Sequence, residues 1–180
     1  IIAPDSQTYL NVLDLSSHGF DEDPVKLKSE FLLSWIGKLL DRQMDGREKS
    51  IIDRVTRLTY QHFLEPTLEE WVFVLSKQPE PEAGNLALDM ELYVKGSLDM
   101  FAHRTNVTTD KSFVIYNVKK LGEALKPIAL MVVFEQIWNR VVRNQQLGKT
   151  TWIYFDEMQL LLLDEYASNF FFKLWSRVRK

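Results

Sequence analysis

The chain has 180 residues, 46% hydrophobic and 26% charged, with eleven Phe, six Tyr and five Trp, enough apolar surface to bury a core and too much for disorder. It has no cysteine, which excludes disulfides, thiolate zinc sites and cysteine nucleophiles, and its net charge of −3 gives the whole chain no electrostatic footprint for nucleic acid. No apolar run approaches the about 20 residues that span a bilayer, and Ile1-Ile2-Ala3-Pro4-Asp5 lacks the basic and apolar regions of a signal peptide.

Residues 1–20 carry short apolar runs, Ile1-Ile2 and Tyr9 to Leu15, broken by Pro4, Asp5 and Gly19, and read as one or two short strands with loops. From Asp23-Pro24 the period becomes helical. Phe31, Leu32, Trp35, Ile36, Leu39 and Leu40 recur at i, i+3, i+4 and predict a helix ending near Arg42, with Pro24 in its first turn. Asp45-Gly46-Arg47-Glu48 has the spacing of a capping box and opens a helix with Ile51, Ile52, Val55, Leu58 and His62 or Phe63 inward. Thr67-Leu68-Glu69-Glu70 is a second capping box, leading into Trp71, Val72 and Leu75. After the breaker Gln78-Pro79-Glu80-Pro81, a fourth helix is predicted from about Glu82 to Val94, with Leu86, Met90 and Tyr93 inward.

The pattern changes at Gly96. The β-branched and aromatic run Ser112–Val118 predicts a strand, and Lys126-Pro127 starts a helix to about Gln146. That helix is apolar nearly all round in its first half and should be buried on more than one side. Thr150–Phe155 predicts a buried strand. A further helix carries Tyr166, Phe170 and Leu174 on one row and Phe171, Trp175 and Val178 on another. Strand, buried helix, strand, helix is the rhythm of a parallel sheet, so the expected architecture is α/β and helix-rich, with residues 23–100 as an all-helical insertion.

Thr151-Trp152-Ile153-Tyr154-Phe155-Asp156-Glu157 is an apolar run ending in two acids, the form of a Walker B strand. A strand of this kind projects carboxylates from its C-terminal edge, where ligands bind in open α/β sheets. Asp156 would then hold Mg²⁺ through water and Glu157 would polarise the water that attacks the γ-phosphate. A core strand emerging into solvent leaves the same string; the buried helix before it and the amphipathic helix after it favour the site. Gly148-Lys149-Thr150 does not complete it. A Walker A loop, G-x-x-x-x-G-K-[ST], needs glycine where Arg143 stands, and it follows a strand and opens a helix. Here the tripeptide follows a helix, as a C-cap and turn would.

His18, His62 and His103 show no metal-ligand spacing, and His62 reads as a core or boundary histidine. Asn106-Val107-Thr108 matches a glycosylation sequon without a secretion signal. Arg140, Arg143 and Lys149 form one basic cluster suited to phosphate, and Lys173, Arg177, Arg179 and Lys180 a second.

Tyr9-Leu10-Asn11-Val12-Leu13-Asp14, Leu88 to Ser97, Phe101 with Thr105-Asn106-Val107, Ile137-Trp138-Asn139-Arg140, Thr151 to Glu157 and Leu174 to Lys180 follow one another over nearly the whole chain. Together they resemble the large cytoplasmic ATPases of conjugative transfer and type IV secretion systems (TraC/TrwK-like), in the form found on mobile elements of Gram-positive bacteria. The resemblance implies a partial RecA-like motor domain over 1–22 and 101–180, interrupted by the helical insertion at 23–100. It implies kinship with the HerA/FtsK motors, a homo-hexamer, secretion-channel partners, DNA or protein as cargo, and a place at the cytoplasmic face of the membrane. ATP and Mg²⁺ are the implied cofactors of the full-length protein, with Asp156 and Glu157 on the Walker B pair. The Walker A loop would lie upstream of Ile1 and the remaining sheet strands beyond Lys180. A fragment so cut is expected neither to hold ATP nor to hydrolyse it alone. The alternative from the residues is a helical protein–protein interaction module with inert acids.

Overall fold

Helix α1, Pro24–Leu39, begins where Asp23 accepts the Val25 N–H at 2.9 Å and Pro24 takes a position that needs no backbone donor. The computed structural model describes residues 7–15, 23–108, 111–156 and, beyond these, 168, 169, 171, 172 and 176. The helix ends at a reversal: Asp41 takes φ 48°, its N–H donates to Lys38 O and the Arg42 N–H to Gly37 O. That is the pairing of a Schellman turn, made with an Asp where glycine is usual. The predicted end near Arg42 therefore falls three residues late, because the last turn is this reversal.

Both capping boxes form. In α2, Gly46–His62, Asp45 accepts the Glu48 N–H while the Glu48 carboxylate accepts the Asp45 N–H; in α3, Leu68–Ser76, Thr67 and Glu70 do the same. Arg42 then lays two N–H groups on Glu48, at 2.9 and 2.7 Å, and a third contact on Asp89 at 3.3 Å, pinning the ends of α1 and α2 to α4. The predicted fourth helix is broken at Met90 into α4, Pro81–Asp89, and α5, Glu91–Val94. Arg54 of α2 holds the breaker by bonding Gln78 at 3.0 Å and Glu80 at 2.6 Å. A Cβ on Gly96 would come within 2.6 Å of Leu92 O, so only glycine fits the turn that leaves α5. A 3-10 turn, Asp99–Phe101, follows.

α1 packs along α2, α2 along α3, and α3 on α4, while α6, Lys126–Gln146, lies against α1. The core is one continuous cluster, from Leu10, Val12 and Leu13 through α1–α5 to Leu121 and the first half of α6. Trp35 and Trp71 are fully buried within it. The Trp35 ring meets Phe101 edge-on at 5.5 Å, and the Trp71 indole N–H donates to Thr56 at 3.1 Å; emptying either position would cost about 3–5 kcal/mol. A smaller cluster joins Phe134, Phe155 and Phe171, whose rings lie 5.5–5.7 Å apart.

The α/β expectation, a partial RecA-like sheet domain, is corrected: among the described residues the regular structure is helical and no strand forms. The physical reason is clearest at Tyr9–Leu15. Most of its backbone bonds go to side chains: Asn106 accepts the Tyr9 N–H at 2.8 Å, Thr105 accepts the Asn11 N–H at 2.8 Å, Lys28 donates to Val12 O at 3.0 Å, and the Tyr60 hydroxyl donates to Leu13 O, while the one backbone bond to another segment is the Asn106 N–H to Tyr9 O at 3.3 Å. A backbone so occupied cannot enter a ladder. Ser112–Val118 and Thr150–Phe155 are likewise unpaired, and they are tied to α6 by side chains, Arg140 donating to Lys111 O and Asn144 to the Thr151 hydroxyl. Of the helix predicted after Glu157, Phe171 is buried; Tyr166, Phe170, Leu174, Trp175 and Val178 lie outside the described residues.

α6 ends as the sequence predicts. Gly148 takes φ 66°, its N–H donates to Gln145 O and the Lys149 N–H to Asn144 O at 2.8 Å, a second Schellman turn. The two turns make opposite predictions. Gly148→Ala should destabilise by about 1 kcal/mol, and Asp41→Gly should stabilise by up to about 1 kcal/mol, because only the first forces a Cβ into left-handed backbone. Urea midpoints of the two variants against the parent chain check both signs.

Candidate functional site

Lys28 lies one turn before Phe31 and Leu32, on the inward stripe of α1, so its ammonium is delivered into the core. There it meets Glu135 of α6 at 2.7 Å and Val12 O at 3.0 Å, with 2% of the lysine side chain exposed. Glu135 sits in the apolar stretch of α6, directly after Phe134, and is itself nearly buried. Burial pushes its carboxyl up to about 7, against the pull of Lys28 and with a further push from Asp14. Tyr60, from α2, is raised above its ordinary value by burial and by the charges of Glu135 and Asp14, so its hydroxyl stays protonated and donates to Leu13 O.

Tyr60, Leu13 and Asp14, at the edge of this network, line a cleft of about 650 Å³. One wall is the polar face of α6, Gln136, Asn139, Arg140, Arg143 and Asn144, spaced three and four apart, continued by Leu147 and Lys149. The other is built by Asn11–Leu15, the end of α2 with Leu64–Pro66, and Arg104-Thr105. Asp14 is held by the Thr105 hydroxyl at 2.5 Å and the Gln136 amide at 3.2 Å. Asn11 bridges inward, donating to Pro66 O at 2.9 Å and accepting the Leu13 N–H at 3.0 Å. Among the described residues, four cationic side chains (Arg104, Arg140, Arg143, Lys149) and two carboxylates (Asp14, Glu65) line the space, in a chain whose net charge is −3.

The structure brings Arg140, Arg143 and Lys149 together as the sequence grouped them, and adds Arg104 from across the cleft. Asp156 is exposed at the end of the extended run and does not line the cleft; Glu157 lies outside the described residues, as do His18, Lys173, Arg177, Arg179 and Lys180. His62 is exposed at the end of α2 rather than at a core boundary, because the helix turns its Thr59 and Val55 inward there. His103 pairs with Asp99 at 3.0 Å and stacks on Tyr9. The Asn106 amide donates to Gln7 O at 2.7 Å, so this sequon side chain secures the segment beside it. Sequence reasoning missed Lys28, Asp14, Tyr60 and Glu135 as a group; the legible signals were a lysine on an apolar stripe and a glutamate inside an apolar run.

Among the described residues no group of three or more His, Asp or Glu side chains is placed to hold a metal, and no helix is long and apolar enough to cross a membrane. A single exposed carboxylate such as Asp156 fits Mg²⁺ shared with phosphates and water, and does not amount to a protein cage. Comparison with protein-family models, curated proteins and solved structures found no match.

The buried pair sets a pH dependence. Glu135 has a folded value near 7 against an ordinary 4.5, so the folded state holds the extra proton between them. Its contribution to stability is therefore complete below about pH 4.5 and is lost as pH rises through 7, by on the order of 3 kcal/mol. Denaturant unfolding from pH 4.5 to 8 should show this decline in the parent chain and a flatter profile in Glu135→Gln. Lys28→Met, which strands the carboxylate, should cost about 3–5 kcal/mol at pH 8 and less at pH 5, where Glu135 is neutral.

Proposed function

We propose that this chain is part of an ATP-hydrolysing motor of the conjugative-transfer and type IV secretion class, energising DNA or protein transfer. In this reading it contributes the acidic side of the site, Asp156 towards magnesium and Glu157 towards the attacking water, and the phosphate-gripping loop comes from other polypeptide. The observation that carries it is spatial. Two runs that resemble the family and lie far apart in sequence are bonded to one another, Tyr9 and Asn11 to Asn106 and Thr105, and Asp14 is bonded to Gln136, the residue before the Ile137–Arg140 run. Thr151, which opens the acidic run, is bonded to Asn144 of α6.

Asp156 would hold Mg²⁺ through water beside the nucleotide's phosphates, the ion supplying charge neutralisation there. Glu157 would orient and deprotonate water. Positioning is most of the catalysis in phosphoryl transfer, so the acids alone achieve little. Like subunits in a hexamer, secretion-channel components and DNA are the partners of this reading, at the cytoplasmic face of the membrane.

A second reading, a helical interaction module with inert acids, draws on the apolar side chains left in solvent on the two extended runs, Phe113, Ile115, Trp152 and Tyr154. Phosphate release separates the two. These 180 residues with Mg·ATP should release phosphate at the buffer rate. Joined to polypeptide carrying a G-x-x-x-x-G-K-[ST] loop, the chain should turn over, and Glu157→Gln should slow it by about a hundredfold or more while ATP still binds. Full turnover by the Glu157→Gln protein would remove the motor reading and leave the interaction module.

A further inference from the structure

Asp156 does not line the cleft beside α6, and the chemistry of that cleft points elsewhere. Arg143 projects from the last turn of α6, where a cation also suits the helix dipole, and taken alone it would read as a solvated helix end. Two further cations reach the same space by other routes. The left-handed Gly148 reverses the chain and returns Lys149 to the end of the helix, its N–H on Asn144 O. Arg104 arrives from the opposite wall, on the loop after the 3-10 turn, where it meets the exposed Glu65 carboxylate at 3.2 Å, a solvent-screened pair that an anion would have to compete with. The helix dipole suits Lys149 as it suits Arg143, and it accounts for Arg104 not at all.

We propose that this cleft binds a compact polyphosphate anion, with Arg143, Lys149 and Arg104 supplying charge and Asn139 and Asn144 supplying neutral donors. The Asp14 carboxylate on its floor accepts from Thr105 and Gln136, which partly offsets its repulsion of an anion. Arg140 donates to Lys111 O, which fixes it on the same face. The volume, about 650 Å³, is that of a small-molecule site. A single-stranded nucleic acid is the weaker fit: among the described lining residues Tyr60 is the one aromatic side chain, and its hydroxyl is tied to Leu13 O, so they offer no run of rings on which bases could stack. The site neither needs magnesium nor includes Asp156, so it stands or falls apart from the motor reading.

The test is calorimetric titration of the chain, in EDTA and about 50 mM salt, with inorganic tripolyphosphate and separately with a twelve-residue oligothymidylate. Tripolyphosphate should bind with a submillimolar Kd that weakens several-fold at about 200 mM salt. Arg143→Gln combined with Lys149→Gln should weaken it about tenfold or more, and Lys149→Gln alone about threefold. Arg47→Gln, at an exposed cation paired with Glu82 away from the cleft, should leave it within twofold. Thermal midpoints confirm that each variant is folded, and the Lys149→Gln arm stands if the double variant is not. Absence of tripolyphosphate binding at 1 mM, equal loss in the Arg47→Gln control, or binding of the oligonucleotide alone would overturn the proposal.

Discussion

The buried contact between Lys28 and Glu135 is the constraint on which the other arrangements rest. A lysine with 2% of its side chain exposed must be neutralised and hydrogen-bonded, and this one is, by a carboxylate of α6 and by the carbonyl of Val12. Three parts of the chain that are distant in sequence are therefore held at one point: α1, α6 and the segment from Tyr9 to Leu15. The pair is not cheap, since burial raises the Glu135 carboxyl even with the ammonium beside it. An apolar pair of the same volume could stabilise as well. What the charged pair adds is register. It fixes which turn of α6 faces α1, and through Val12 it fixes the height of the N-terminal segment.

From that point the polar network spreads outward in a definite order. Tyr60 and Lys28 occupy carbonyls of the N-terminal segment, Thr105 and Asn106 occupy its N–H groups, and Asp14 is left facing Gln136. The segment is buried at Leu10 to Leu13 yet takes no place in a sheet, because side chains satisfy most of the backbone groups that a neighbouring strand would otherwise take, leaving a single backbone bond from Asn106 to Tyr9 O. The floor of the cleft is the outer layer of this network. Its cationic wall is a separate device, built from the polar face of α6 and the reversal at Gly148. The apolar face of the same helix closes the core, with Met131 fully buried. One helix thus serves both compartments.

Parts of the site were legible in the residues and parts were not. Arg140, Arg143 and Lys149 are neighbours in sequence and on a helix, so spacing alone grouped them. Arg104 could join them only after the chain had folded back from the far side of the 3-10 turn. Lys28 and Glu135 each broke an apolar pattern, which marks a residue as unusual without naming its partner. Asp156 and Glu157 carried a motif, and motif recognition says what acids of that spacing do in an ATPase. It does not place them beside a phosphate, and the exposed Asp156 stands apart from the cationic cleft.

The sequence by itself determined the features whose partners lie within a turn or two: the capping boxes at Asp45 and Thr67, the proline starts at Pro24 and Pro127, the inward stripes of α1 and α3, and the glycine reversal that makes Gly148-Lys149-Thr150 a helix end. These depend on i, i+3 and i, i+4 neighbours and on backbone dihedrals, which are local quantities. Only the tertiary structure decided whether the apolar runs at Tyr9, Ser112 and Thr150 would pair as strands. Strand formation needs a second backbone, and a β-branched run carries no record of which groups will reach its carbonyls first. Here the side chains of Lys28, Tyr60, Thr105 and Asn106 bond the first run, and α6 secures the other two.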